Sequence, residues 1–151
     1  MRQFQTRSEE ETIQLGREIA ARLPRRTVVL LIGNLGAGKT TLAKGIVSGL
    51  GAAEADDVTS PTFTLIHEYG RSSQAARVYH IDLYRLDRPE EVARLGLEEI
   101  FDRDAVVLIE WGERFPQLMP ADRIEIRIEV GSADERRIHV TGIEPGYPDS
   151  V

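Results

Sequence analysis

Two short stretches of this chain are apolar with no alternation. Thr27–Ile32 (TVVLLI) and residues 105–109 (AVVLI) are built almost wholly from β-branched, leucine and alanine side chains. A strand buried on both faces reads this way, as in a sheet covered by helices on each side. Around them the period becomes helical. Ile13, Leu15, Ile19, Ala20 and Leu23 put an apolar side on a helix that begins at Ser8 and that Pro24 closes. Glu11, three positions after Ser8, completes a capping-box pattern. Leu42, Ala43, Ile46, Val47 and Leu50 recur at helical spacing in a second helix, and Gly49 and Gly51 mark its end.

The remaining segments predict shorter elements. Arg2–Thr6 reads as a short edge strand, residues 52–59 as a loop carrying Asp56 and Asp57, and residues 62–69 as an alternating strand. Residues 70–76 are turn-like, and 77–83 form another candidate strand. Pro89 suits the first turn of a short helix, and Leu97–Phe101 predicts another. Residues 123–130 and Arg136–Thr141 alternate across a polar break at 131–135, the pattern of an antiparallel pair at a sheet edge. The sum is an α/β fold, three layers around a mixed sheet, with an antiparallel C-terminal strand pair. Residues 1–143 form a single domain in this reading, and 144–151 a loosely ordered tail.

Composition narrows the class. At 151 residues, 41% apolar and 29% charged, the chain suits one soluble globular domain. The net charge of -6 argues against holding nucleic acid by charge alone. With no cysteine there is neither a disulfide framework nor a thiolate metal site. The polar first residues lack a signal-peptide core, and the longest apolar run falls far short of the roughly 20 residues that span a bilayer. A cytoplasmic protein is the expectation.

The most specific chemistry follows the first buried strand. Gly33, Asn34, Leu35, Gly36, Ala37, Gly38, Lys39 and Thr40 match G-x-x-x-x-G-K-[ST] in full, and Thr41 follows. The glycines let backbone N–H groups turn inward around phosphate oxygens. Lys39 supplies a charge for the β- and γ-phosphates, Thr40 a hydroxyl for Mg²⁺, and the next helix its positive end. A chance glycine turn with a surface lysine would lack the buried strand before it and the amphipathic helix after it. The expectation is a P-loop NTPase domain with ATP and Mg²⁺ as cofactors.

A magnesium-nucleotide site also needs a carboxylate near the Thr40 hydroxyl. Asp82 and Glu110 each end a buried-strand candidate, where a parallel sheet delivers ligand-facing groups. Either alone also reads as a solvated acid at a strand end, but the phosphate loop requires some metal partner. Trp111, the single tryptophan, is a core residue or a ring beside the nucleotide. Ser60-Pro61-Thr62 is a plain turn or a switch-like segment that reaches the γ-phosphate. His67 and His80 read as strand-packed histidines. The guanine-reading sequence Asn-Lys-x-Asp is missing, which favours ATP over GTP, and no arginine-rich lid of a nucleotide kinase is present.

The ordered set GNLGAGKTT (33–41), SPTFTL (60–65), HIDLYRL (80–86), Pro89-Glu90-Glu91 and EWGE (110–113) resembles the TsaE family, formerly YjeE, from about residue 8 to residue 140. The loop alone is unspecific; the set in this order is highly specific. The resemblance implies an ATPase subunit of bacterial tRNA threonylcarbamoyladenosine synthesis. Such a subunit supports TsaD and TsaB, which modify the adenosine beside the anticodon, and meets tRNA indirectly through the complex. It implies weak Mg²⁺-dependent hydrolysis alone, with Lys39 and Thr40 holding phosphate and Mg²⁺. Thr62 would lie in a switch-like segment and Asp82 would be a metal-side acid. Glu110 would be a Mg²⁺ ligand or catalytic acid, and Trp111 would lie beside the nucleotide. Asn34 departs from the family's usual aspartate while leaving the loop glycines intact. Arg136 is a candidate nucleotide contact, and Glu9 or Thr12 a candidate adenine contact. A nucleotide-gated binding module with incidental hydrolysis, or a small-molecule kinase, are the other classes weighed.

Overall fold

The computed structural model describes residues 2–70 and 76–142. The turn expected at 70–76 lies mostly, and the tail expected at 144–151 wholly, outside the described residues. In chain order the elements are β1 (Arg2–Thr6), α1 (Glu9–Ala20), β2 (Thr27–Ile32), α2 (Lys39–Gly49), β3 (Ile66–Tyr69), β4 (Val78–Asp82), α3 (Pro89–Ala93), α4 (Leu97–Phe101), β5 (Val106–Glu110), β6 (Ile124–Val130) and β7 (Arg136–Thr141). One seven-stranded sheet runs in the order β1-β7-β6-β2-β5-β4-β3. It is mixed: β2 pairs parallel with β5 and β6, and β4 with β5. The pairs β1–β7, β6–β7 and β3–β4 are antiparallel.

The non-alternating strands are buried on both faces, as their sequences require. Val29 and Leu31 of β2, with Val106 and Leu108 of β5, pack with Leu42, Ile46 and Ile19 of α2 and α1. Val28, Leu30, Val107 and Ile109 face the other way, onto Val92, Leu97, Ile100 and Phe115. The result is helix, sheet and helix in three layers. No helix among the described residues is long and apolar enough to cross a membrane.

Helix α1 begins with half of its capping box: Ser8 Oγ accepts from the Glu11 N–H at 3.1 Å, whereas Glu11 Oε1 accepts from the Arg7 N–H at 2.8 Å, one residue before the cap, and not from Ser8. It ends at Ala20, ahead of the expected stop at Pro24. Helices α1 and α2 touch backbone to backbone at two glycines. A Cβ on Gly45 would sit 2.0 Å from the Ile13 carbonyl oxygen, and one on Gly16 2.6 Å from that of Leu42. Gly45 and Gly16 thereby set the depth of α2 over the sheet, and with it the position of the loop that α2 follows.

Two expectations are corrected. The strand expected at 62–69 is shorter: β3 starts at Ile66, and Thr62–Thr64 form a turn closed by the Leu65 N–H on the Pro61 carbonyl at 2.7 Å. Leu65 has a φ of 71°, which no strand residue adopts. The alternation of TFTL imitates a strand, but the pattern comes from Phe63 pointing outward at 82% exposure. The C-terminal pair, expected at the edge, is internal: β6 lies against the central β2, and β1 covers β7 as the outermost strand.

Candidate functional site

Strands β2, β4 and β5 run parallel, so their C-terminal ends meet at one rim of the sheet. The register sets Asp82 opposite Glu110. The loop 33–38 leaves β2 at the same rim. Gly36 (φ 80°) and Gly38 (φ 110°) take left-handed backbone that a side chain would strain. Helix α2 then starts with no side-chain cap and no acidic residue in its first turn. Its first N–H groups and its positive dipole end are therefore available to an anion. Asn34 and Leu35 are exposed, and the Asn34 carbonyl accepts from the Ala37 N–H at 3.0 Å.

A cleft of about 300 Å³ lies above this rim. Lys39, Thr40, Thr41, Thr62, Asp82, Glu110 and Trp111, singled out from sequence alone, all line it, together with Leu35, Gly36 and Gly38. Thr40 Oγ1 donates to Glu110 Oε2 at 3.2 Å. Asp82 Oδ2 accepts from the hydroxyls of Ser60 (3.1 Å) and Thr62 (3.0 Å), and Oδ1 from the Tyr84 N–H (2.9 Å). Fully buried Val58 anchors the chain just before this turn. The turn 60–65 is thus tied to one of the two carboxylates.

Lys39 is only 4% exposed. Its Nζ donates to the Gly33 carbonyl at 2.8 Å and lies 3.5 Å from the centre of the Trp111 ring. Burial holds its pKa below the usual lysine value, with Glu110, Glu113 and Asp82 opposing the shift. Trp111 reaches the lysine because its own backbone is left-handed, at φ 69°. The ring is neither plain core nor free surface: Tyr84 packs on it at 5.2 Å, and the Arg114 guanidinium lies 5.3 Å from its centre.

Other residues here escaped the sequence reading. Arg114 donates to the carbonyls of Leu83 (2.8 Å) and Tyr84 (2.7 Å), pinning the segment after Asp82. Tyr84 lies inside the HIDLYRL motif and Arg114 directly after EWGE, so the motif edges were the available signal. His80 is strand-packed as expected, at 0% exposure, yet its Nε2 is also 2.6 Å from Glu110 Oε2.

Glu113 is a further acid, half-buried. Burial pushes its pKa above the ordinary carboxylate value, partly offset by its own backbone N–H, Lys39, Arg114 and Arg127. Its Oε1 has no hydrogen-bond partner among the described residues. The folded chain therefore binds a proton at Glu113 more tightly than the unfolded chain. The associated stability is fully present below the ordinary carboxylate pKa and is lost as pH rises through the raised folded value. Glu113→Gln is expected to flatten that dependence and to melt above wild type at neutral pH. Thermal denaturation from about pH 4 to about pH 7 measures it; a difference that does not vary with pH would sink this account.

A second cavity of about 280 Å³ adjoins the loop on its outer side, between Ser8, Glu9 and Thr12 of the α1 start and Gly36, Gly38, Thr41 and Arg136. Arg136 Nε donates to the Ala37 carbonyl at 2.9 Å, which ties β7 to the glycine loop. Thr12 is buried, with Oγ1 engaged by Thr6 Oγ1 (2.7 Å) and the Ser8 carbonyl (3.2 Å), whereas Glu9 is exposed. Of the two candidate adenine contacts, Glu9 alone has a side chain without internal commitments of this kind.

The oxygens gathered by Thr40, Asp82 and Glu110 are hard donors of the kind Mg²⁺ takes. Among the described residues, no three His, Asp or Glu side chains cluster into a self-sufficient cation site. A cation here would draw most ligands from phosphate oxygens and water, the usual manner of Mg²⁺ beside a nucleotide.

Comparison with known proteins points to one family. The family model described as threonylcarbamoyl adenosine biosynthesis protein TsaE matches residues 6–138. The chain is 38% identical over 144 residues to the tRNA threonylcarbamoyladenosine biosynthesis protein TsaE of Bacillus subtilis, across 95% of this chain and 87% of that one. It is 39% identical over 134 residues to the protein of the same name from Rickettsia bellii, across 89% and 90% of the two chains. The crystal structure of Bacillus subtilis YdiB is similar with a TM-score of 0.74 and 34% identity, across 96% of this chain and 87% of that one.

Proposed function

The chain belongs to the TsaE family of tRNA threonylcarbamoyladenosine biosynthesis, and from that premise we propose that it is a Mg²⁺-dependent ATPase that supports a TsaD–TsaB pair in modifying the adenosine next to the anticodon. One observation carries the reading: Lys39, Thr40, Asp82 and Glu110 converge on one cleft beside the uncapped start of α2. The backbone N–H groups of the loop and α2 would receive the phosphates, and Lys39 would leave Gly33 and Trp111 for the β- and γ-oxygens. Mg²⁺, when bound, would supply positive charge against the charge on the transferring group. Thr40 and one of the two carboxylates, Glu110 or Asp82, would hold it there. Whichever carboxylate is not engaged by the metal would orient the attacking water. The base and ribose would lie over the outer cavity, near Glu9 and Arg136.

Hydrolysis by the purified protein, alone and with TsaD, TsaB and tRNA, tests the proposal. Phosphate release is expected to be slow alone and faster with the partners. Equal rates in both mixtures would remove the accessory role.

A second reading, a nucleotide-gated binding module, is favoured by the turn 60–65. That turn hangs on Asp82 by two hydroxyls and carries exposed Phe63. A nucleotide that drew Asp82 or Thr62 away would rearrange the turn and change the surface a partner meets. Partner binding that switches with nucleotide while no hydrolysis occurs in any mixture would select this reading.

A further inference from the structure

We propose that His80 is a positioning residue, whose Nε2–H holds the Glu110 carboxylate in the orientation that Mg²⁺ and the attacking water require. The inference rests on the ATPase reading above and assigns a role within its site. His80 and Glu110 lie on the same face of adjacent parallel strands, with Leu108 opposite His80 and Asp82 opposite Glu110. Diagonal neighbours at this spacing are within reach of a long side chain, and the contact is closed at 2.6 Å.

The tautomer follows from the surroundings. His80 Nδ1 is buried and has no hydrogen-bond partner among the described residues. A buried N–H without an acceptor is rarer and costlier than a buried lone pair, so the ring proton belongs on Nε2. There it donates to Glu110 Oε2, which also accepts from Thr40 Oγ1. Oε2 is thus held by two donors, while Oε1 accepts no hydrogen bond among the described residues. Such a carboxylate cannot spin its head group without breaking both contacts. Histidine is otherwise a poor choice for a fully buried strand position flanked by Tyr79 and Ile81, which are 3% and 0% exposed. A packing role alone would be met better by valine or leucine, because the unpaired Nδ1 has a desolvation cost.

Partners that orient a metal-side ligand typically change metal affinity or activity by about 10- to 100-fold when removed. The test uses full-length His80→Leu, His80→Asn and His80→Gln. Glutamine places its amide N–H near the position of Nε2, whereas asparagine is one methylene too short. Nucleotide affinity is read from Trp111 fluorescence with Mg²⁺ and with chelator, beside kcat and KM for ATP and the melting temperature. The leucine and asparagine variants are expected to need about 10-fold or more additional Mg²⁺ for half-saturation, and to lose kcat in similar proportion. KM, and affinity for ATP in chelator, should stay near wild type. The glutamine variant is expected within about 3-fold of wild type on every count, a margin under the typical loss on removing such a partner.

If leucine unfolds the protein, the asparagine–glutamine pair still decides. Equal Mg²⁺ requirements in asparagine, glutamine and wild type would overturn the positioning role alone. Equal defects in asparagine and glutamine, matched by equal falls in melting temperature, would reduce His80 to packing. A wild type whose nucleotide affinity ignores Mg²⁺ would overturn the parent ATPase reading as well.

Discussion

Lys39→Ala is expected to reduce ATP hydrolysis by about 10²- to 10³-fold, the scale seen when one group that stabilises transition-state charge is removed from a water-poor site. Nucleotide affinity should fall too, because the lysine charge also meets phosphates in the ground state. The physical basis is the lysine's unusual setting. It is 4% exposed, donates to a single carbonyl and rests on an aromatic ring. Burial lowers its pKa, while three nearby carboxylates favour the charged form. A buried ammonium with so few hydrogen-bond partners gains more from an arriving polyphosphate than a solvated one would. The fold has little stake in it: the loop is also held by the Asn34–Ala37 turn and by Arg136 on the Ala37 carbonyl. Circular dichroism should therefore be unchanged. Phosphate release and Trp111 fluorescence during ATP titration measure the effect; turnover within a few-fold of wild type would remove Lys39 from the mechanism.

Much of this arrangement was legible in the chain because its parts are local. The buried strand, glycine loop and amphipathic helix sit consecutively, and each has its own period or composition. Asp82 and Glu110 were recognisable as strand-end acids because a parallel strand buried on both faces has to finish somewhere polar. What escaped depends on register and on strand order. His80 read as a packed histidine because nothing local says that it lies diagonally from Glu110. The C-terminal pair read as an edge because alternation reports one polar face but not its neighbours; here β6 joins β2, and β1 arrives from the far end of the chain. The turn at 62–65 was lost for a different reason. Its alternation is real, but Leu65 leaves the β region, and only the Pro61–Leu65 closure reveals that. Arg136 was named as a possible nucleotide contact, and the structure finds it on the glycine loop by a contact that spans 99 residues of sequence.

The two carboxylates of the cleft are held differently, and that difference separates their roles. Asp82 is a hub for the turn 60–65 and for the Tyr84 N–H, so replacing it would disturb structure and chemistry together. Glu110 has a cleaner position. It is 3% exposed, with one imidazole and one hydroxyl as partners on a single oxygen. A buried carboxylate with so few hydrogen bonds is expensive for the nucleotide-free protein, a cost that the nearby Lys39 charge offsets only in part. Glu110→Gln keeps the shape and the acceptor for His80 and Thr40 while removing the charge. It is therefore expected to raise stability by on the order of 1 kcal/mol, or about 2–4 °C in melting temperature for a chain of this size. Hydrolysis should fall by about 10²-fold or more, the scale of a lost general base or orienting group. Opposite signs in the two measurements identify a residue kept for function at the expense of stability. A variant that melts lower and hydrolyses normally would mean the carboxylate serves the fold, and Asp82 would inherit the catalytic role. A variant that melts higher, hydrolyses nothing and yet still supports tRNA modification with TsaD and TsaB would leave the cleft as a nucleotide gate. Only loss of hydrolysis together with loss of modification makes turnover itself the contribution of this chain.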